Sequence, residues 1–259
     1  MKPEIDKRIP GMTGKDPTWK RQDDILQDLM ENYPIPTLSR KDIYTYYAGW
    51  MTCLFFPSVP TIANLISAVF HRLLQHPEII EELINEQNEV FGDPHYSNRG
   101  GGGCFTIESA RKLVKLDSVC RESFRTNKEF TASDRTNVGS ESVILSNGVI
   151  IPPGQDVLLN LWINHQDNNL QKDTIGSYEK FEPYRHLETN HSVTKSGDDF
   201  LLFGIGKHVC PARWFTMHVV KTIISLLLRD YNIKSAEDSF TNLSNNFTGK
   251  VIIEKKKIQ

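Results

Sequence analysis

Cysteine is scarce in this 259-residue chain: Cys53, Cys104, Cys120 and Cys210 are its four, with no C-x-x-C pair and no metal-finger spacing. A disulfide scaffold is thereby disfavoured, and reduced thiols in a cytosol-facing protein are the simpler expectation. An excess of one charge is missing too. The 30 Lys and Arg face 32 Asp and Glu, for a net charge of −2. No basic cluster of the kind that meets nucleic acid is present, so no nucleic-acid partner is expected. The N-terminus, MKPEIDKRIPGMTGKDP, has no apolar core and does not read as a secretory signal. The sequons at Asn190, Asn242 and Asn246 then carry little weight, and internal repeats are absent.

What is there begins with length enough for a substantial core. The first 20 residues read as a flexible lead-in. A short helix over Asp23 to Asn32 follows, with Ile25, Leu26, Leu29 and Met30 on one face. Ser39 has the chemistry of an N-cap for the next run. The long apolar stretch from Tyr47 to Phe70 raises a membrane span, but Pro57, Ser58, Pro60, Thr61 and Asn64 interrupt it. A core helix buried all round, continuing to Gln75, is the expectation. Pro77 fits the first residue of another helix, which reaches Val90 and closes at Gly92. Residues 93–104, including Arg99-Gly-Gly-Gly-Gly-Cys104, read as a mobile glycine-rich loop.

A further helix is predicted over Ile107 to Thr126. The period then shortens: Val143 to Leu145 and Val149 to Ile151 flank Asn147-Gly148, a strong hairpin signal. Pro153-Gly154 turns the chain into an apolar run from Val157 to Trp162. The last long helix is predicted from Pro211 to Asp230, with a weak strand at Lys250 to Ile253. Mainly α with small β-sheets is the fold class, in one domain over residues 1–259.

The segment Phe203-Gly-Ile-Gly-Lys-His-Val-Cys-Pro-Ala-Arg213 concentrates the chemistry. Gly204 and Gly206 permit positive φ and let the backbone approach a flat ligand. Cys210 follows where a long helix begins, near unpaired backbone N–H groups and the positive end of the helix dipole. Lys207, His208 and Arg213 add positive charge. Such surroundings suit a sulfur that binds metal, although a lone cysteine beside a helix cap is more often inert.

Taken whole, the segment resembles the cysteine-ligand loop of the cytochrome P450 family, F-x-x-G-x-[RH]-x-C-x-[AG], at every fixed position. The resemblance implies heme b (iron protoporphyrin IX) with the Cys210 thiolate as axial ligand. It also implies that Phe203 and Gly206 shape the binding loop and that His208 meets a propionate. Glu122-Ser-Phe-Arg125 is an E-x-x-R with both side chains on one helical face. Phe181-Glu-Pro-Tyr-Arg185 is similar to the family's F-x-P-x-R, so a buried triad of Glu122, Arg125 and Arg185 is implied. Arg135, 13 residues after Glu122, falls where many members place a second propionate-binding arginine. Thr61 falls at the oxygen-activating threonine of the family's central helix. The usual A-G-x-[DE]-T reads Pro57-Ser-Val-Pro60-Thr61 here, so proline replaces the acid, opens a kink and cannot relay a proton.

The resemblance runs from roughly Arg21 to Ile253 and corresponds to the C-terminal half of the cytochrome P450 fold, of fungal type. The membrane anchor and early helices of the family are not seen in the sequence. Exposed apolar surface, marginal stability and poor solubility are therefore expected of the chain alone. The implied activity is a monooxygenase that inserts one oxygen atom of O2 into an apolar organic substrate. Its electrons would come from NADPH-cytochrome P450 reductase or a similar donor, docked near Lys207 and Arg213. A peroxide-using or rearranging haem-thiolate enzyme and a non-catalytic haem-binding remnant stand as alternatives, and the truncated chain alone need not be active. Members of this type sit on the cytosolic face of the endoplasmic reticulum; with no anchor in view, location stays open.

Overall fold

Charge pairing, more than apolar content, organises the first residues. Arg8 is buried and its guanidinium donates to Glu4 at 2.9 and 3.0 Å and to Asp24 at 2.6 and 2.7 Å. With Ile5 fully buried beside Leu26, Leu29, Met30 and Tyr47, this fixes helix α1 (Lys2–Met12). The lead-in expected to be flexible is therefore helical over that span, because Arg8 and Ile5 find partners beyond their own segment. Asp24 also caps α2 (Ile25–Asn32), accepting from the N–H of Gln27 at 2.9 Å.

This computed structural model describes residues 1–33, 40–92, 105–128, 132–171, 178–189, 191–236 and 250–256. Ser39, the glycine-rich stretch with Cys104, and Asn190, Asn242 and Asn246 lie outside the described residues. The chain divides into two compact units, Met1–Thr61 and Ile62–Gln259.

Helix α3 (Arg40–Gln75) contributes residues to both units. It differs from the helix buried all round that its composition suggests. In the second unit one stripe is buried, at Leu65, Val69, Leu73 and Leu74, the i, i+4, i+8, i+9 spacing of an amphipathic helix. In the first unit Leu54, Phe55, Phe56 and Val59 are exposed, Phe56 to 79%. Pro57 and Pro60 do not end the helix. Each withholds one backbone donor, and Ser58 Oγ donates to the Phe55 carbonyl at 3.0 Å. Among the described residues, α3 is the one helix long and apolar enough to cross a membrane.

The second unit packs helices around one core. A 3-10 turn (Pro77–Ile79) leads into α4 (Ile80–Phe91), closed by Gly92 at φ 78°. The single helix expected over 107–126 is two, α5 (Ile107–Lys112) and α6 (Val114–Arg125), broken at Leu113. The Glu86 carboxylate reaches across from α4 and accepts the N–H groups of Lys115 and Leu116 at 2.5 and 3.0 Å. It thus serves the orphan donors of a new helix start. Strand β1 (Ala132–Thr136) pairs antiparallel with β4 (Asp156–Asn160). Between them in sequence, β2 (Val143–Ile144) and β3 (Ile150–Ile151) form the predicted hairpin, turning through Gly148 at φ 85°.

Trp162, expected on a strand, lies on α7 (Leu161–Gln166), which Asn160 caps through Ile163 N at 3.0 Å. Helix α8 (Arg213–Asp230) runs into β5 (Tyr231–Ser235), paired antiparallel with β6 (Val251–Lys255). Leu83, Leu113, Leu116, Val119, Phe124, Phe200, Val220 and Ile224 are all fully buried and form the centre of the unit.

Candidate functional site

The loop before α8 is closed by its own backbone. Cys210 N donates to the Phe203 carbonyl at 2.7 Å, Val209 N to Gly206 O at 3.2 Å, and Gly204 N to Leu201 O at 2.9 Å. Phe203 is buried and anchors one end in the core. The two glycines serve different needs. Both have positive φ, 74° at Gly204 and 64° at Gly206. A Cβ on Gly204 would meet the His208 carbonyl at 3.1 Å, whereas one on Gly206 would meet no atom within 4 Å. Gly204 lets the loop fold tightly on itself; Gly206 leaves open space beside it.

Cys210 is a free, half-buried thiol. Helix α8 starts at Arg213, two residues later than Pro211. Arg213 is committed to the loop: it donates to the carbonyls of Cys210 at 2.9 Å and Thr194 at 3.2 Å and lies 3.4 Å over the Trp214 ring. Arg213 thus helps to hold the loop. Lys207 and His208 are exposed, with no side-chain hydrogen bond among the described residues. Ile205, Trp214 and Phe215 add exposed apolar surface nearby in sequence.

The donor chemistry fits a haem iron. One soft sulfur donor stands in a closed loop, with open space beside Gly206. Among the described residues no group of three or more His, Cys, Asp or Glu is placed to hold a metal on its own, and an iron carried in a porphyrin asks the protein for no such group.

Glu122, Arg125 and Arg185 come together as their motifs imply. Glu122 is fully buried on α6 and accepts from Arg125 Nε at 2.7 Å, Arg125 NH2 at 2.8 Å and Arg185 Nε at 3.0 Å. Two further groups complete its shell: the backbone N–H of Glu182 at 3.0 Å and His186 Nε2 at 3.2 Å. Burial alone would raise the Glu122 pKa, but the bonds from Arg125 and His186 and the charges of both arginines outweigh it and hold the carboxyl well below its usual range. His186 was not singled out from the sequence, and its place directly after Arg185 was the available signal.

Arg125 also donates to the carbonyls of His165 at 2.9 Å and Tyr178 at 2.7 Å. Arg121, one position before Glu122, was missed as well. Fully buried, it lies 4.1 Å over the Phe200 ring and donates to Ser192 O at 3.0 Å, Lys195 O at 2.8 Å and Asp199 at 2.6 Å.

The other candidates are less tied down. Arg135 is exposed on β1, and its NH1 donates to Ser133 Oγ at 2.8 Å and to the Asp134 carbonyl at 2.6 Å. Among the described residues no hydrogen bond joins it to the Cys210 loop. Thr61 is exposed at the end of the first unit. On the same helix the hydroxyls of Thr45 and Thr52 bond back to Lys41 O at 3.1 Å and Ala48 O at 2.8 Å, but that of Thr61 makes no such bond. Cys120 is fully buried, and burial pushes its thiol pKa far up, away from thiolate chemistry.

Comparison with known proteins bears on the whole chain. The family described as Cytochrome P450 matches residues 13–259. The cytochrome P450 monooxygenase phqO of Penicillium fellutanum is 31% identical over 195 residues, 71% of this chain and 41% of that protein. The cytochrome P450 monooxygenase sirB of Leptosphaeria maculans is 26% identical over 245 residues, 91% of this chain and 44% of that protein. The fumitremorgin C monooxygenase of Aspergillus fumigatus is 30% identical over 183 residues, 69% of this chain and 34% of that protein. The chain thus spans less than half the length of these relatives.

Proposed function

The chain belongs to the cytochrome P450 family, and from that membership we propose that it is the haem-binding part of a haem-thiolate monooxygenase with Cys210 as iron ligand. The observation that carries this reading is the free thiol in a backbone-closed loop, with Gly206 open beside it. Bound haem supplies the activation of O2 and the insertion of one oxygen atom into a C–H bond of a small apolar substrate. The chain's own residues do the rest. Cys210 would hold the iron, and its thiolate would supply the electron density that favours O–O cleavage. Phe203 packs the loop against the core, and the exposed ring of His208 would donate to a propionate. Arg135 would offer a second donor through the guanidinium N–H groups that are not bonded to its own strand.

By its place in the sequence motif, Thr61, whose Oγ1 makes no back-bond to its helix, is the hydroxyl that would hold a proton for oxygen activation. Pro60 withholds the carboxylate that would resupply it. Glu122, Arg125 and Arg185 hold the fold beneath the loop and touch no substrate. Electrons would come from NADPH-cytochrome P450 reductase or a similar donor, for which Lys207 and Arg213 are the basic groups beside the loop.

The test is optical. Haem-loaded chain, reduced and treated with carbon monoxide, gives the red-shifted Soret band of thiolate ligation, and Cys210→Ser loses it. A serine variant with an unchanged spectrum would show the ligand to be misplaced. One observation favours a second reading, a peroxide-using or rearranging enzyme: proline stands where an acid would feed protons to Thr61. Turnover with peroxide but not with NADPH and reductase decides for it.

A further inference from the structure

We infer that His165 is a positioning residue for the Cys210 loop, carrying the order of the buried Glu122–Arg125 pair into the backbone that presents the thiol. This rests on the reading of Cys210 as the iron ligand. His165, on α7, is buried to 1% exposure and bonded at both ends. Its carbonyl accepts from Arg125 NH1 at 2.9 Å, and its ring Nε2 accepts from the N–H of Leu201 at 2.9 Å. The ring stacks on Phe200, with centroids 5.2 Å apart and planes at 19°. Leu201 passes the constraint on: its carbonyl accepts from Gly204 N at 2.9 Å, and one residue earlier Phe203 O receives Cys210 N at 2.7 Å. A short series of hydrogen bonds thus runs from Glu122 through Arg125 and His165 to the turn that carries the sulfur.

The chemistry explains why histidine stands there. Leu201 N–H is directed at a buried site and needs an acceptor, since a buried donor without one is costly. A neutral imidazole with its proton on Nδ1 supplies that acceptor at Nε2, and an imidazolium cannot. The charged groups facing the ring are Arg125 and Arg121 from α6 and Asp199 from the segment that ends in the loop. Burial, then the two arginines, lower its pKa to about 4, with Asp199 opposing. The accepting form therefore persists across the neutral range. Neighbouring bonds, from Asn164 Nδ2 to Asp198 O at 2.8 Å and from Gln171 Nε2 to Asp199 O at 2.6 Å, hold the preceding residues. His165 holds the residue nearest the cysteine turn.

A histidine that merely fills space predicts a different outcome from one that accepts a hydrogen bond. His165→Phe keeps the ring, the stack and the carbonyl bond to Arg125 but removes the acceptor. His165→Gln places an amide oxygen near the Nε2 position and keeps it. His165→Asn, whose amide ends at the Nδ1 position, is a second acceptor-less variant should phenylalanine disturb folding. Two readouts apply to the full chain: hydrogen exchange at the Leu201 amide without haem, and the carbon monoxide spectrum of the reduced, haem-loaded protein. Loss of the acceptor should speed exchange at Leu201 by about tenfold to a hundredfold. Amides in the middle of α8 should stay within about twofold. The thiolate-type band should fall, with His165→Gln restoring both readouts. Wild-type protection in the acceptor-less variants, or a glutamine variant that behaves like them, overturns the inference. A wild-type protein with no thiolate-type band overturns the ligand reading instead, and the exchange comparison still decides the role of His165.

Discussion

Glu122 has no water to turn to. Its charge is tolerable because two arginines, a histidine and a backbone N–H all converge on one carboxylate. Arg185→Leu should therefore lower the unfolding free energy by about 3–5 kcal/mol, read as a reduced denaturant midpoint with an unchanged slope. His165 adds a pH signature. Its pKa falls on folding from 6.5 to about 4, so the folded state prefers the neutral ring. The contribution is complete above about pH 6.5 and is lost as pH falls towards 4, a change of about 3 kcal/mol. Glu122, also depressed on folding, works in the same direction at lower pH, below the usual carboxylate range of about 4.3. Chemical denaturation at several pH values should show stability declining from pH 6.5 to 4 in the wild type and a flatter profile in His165→Gln. Equal slopes in the two proteins would contradict the assignment.

At the scale of elements, the cysteine loop shows how two glycines in one motif differ. Gly204→Ala meets both an unfavourable φ and the His208 carbonyl at 3.1 Å; Gly206→Ala meets only the φ. Each pays about 1–2 kcal/mol for the left-handed conformation, and Gly204→Ala should show the larger fall in melting temperature. The same scale divides what could be read from the sequence. The loop, the hairpin at Asn147-Gly148 and helices α2, α4 and α8 were legible because caps, turn residues and periodicity act over a few positions. Helix α1 was not, since Arg8 depends on Asp24, and neither was the break at Leu113, which depends on Glu86 from α4. The triad was legible as motifs, whereas His186, Arg121 and His165 do their work through partners 36 to 78 residues away that no local pattern announces.

For the molecule as a whole, the apolar surface is uneven. Phe55, Phe56 and Val59 are 58%, 79% and 68% exposed, while Phe124 is fully buried. The double variant Phe55→Ser/Phe56→Ser should raise the concentration at which light scattering appears, with a stability change within about 0.5 kcal/mol. Phe124→Ala should cost about 3–5 kcal/mol. A double variant that melts early would mean those phenylalanines are packed. The buried carboxylate also sets a clock on synthesis. Arg185 lies 63 residues beyond Glu122, so a ribosome adding roughly 5–20 residues per second needs about 3–13 seconds to deliver it. Until then α6 carries an anion that cannot be desolvated, and the nascent chain must wait, or be chaperoned, before its centre can close.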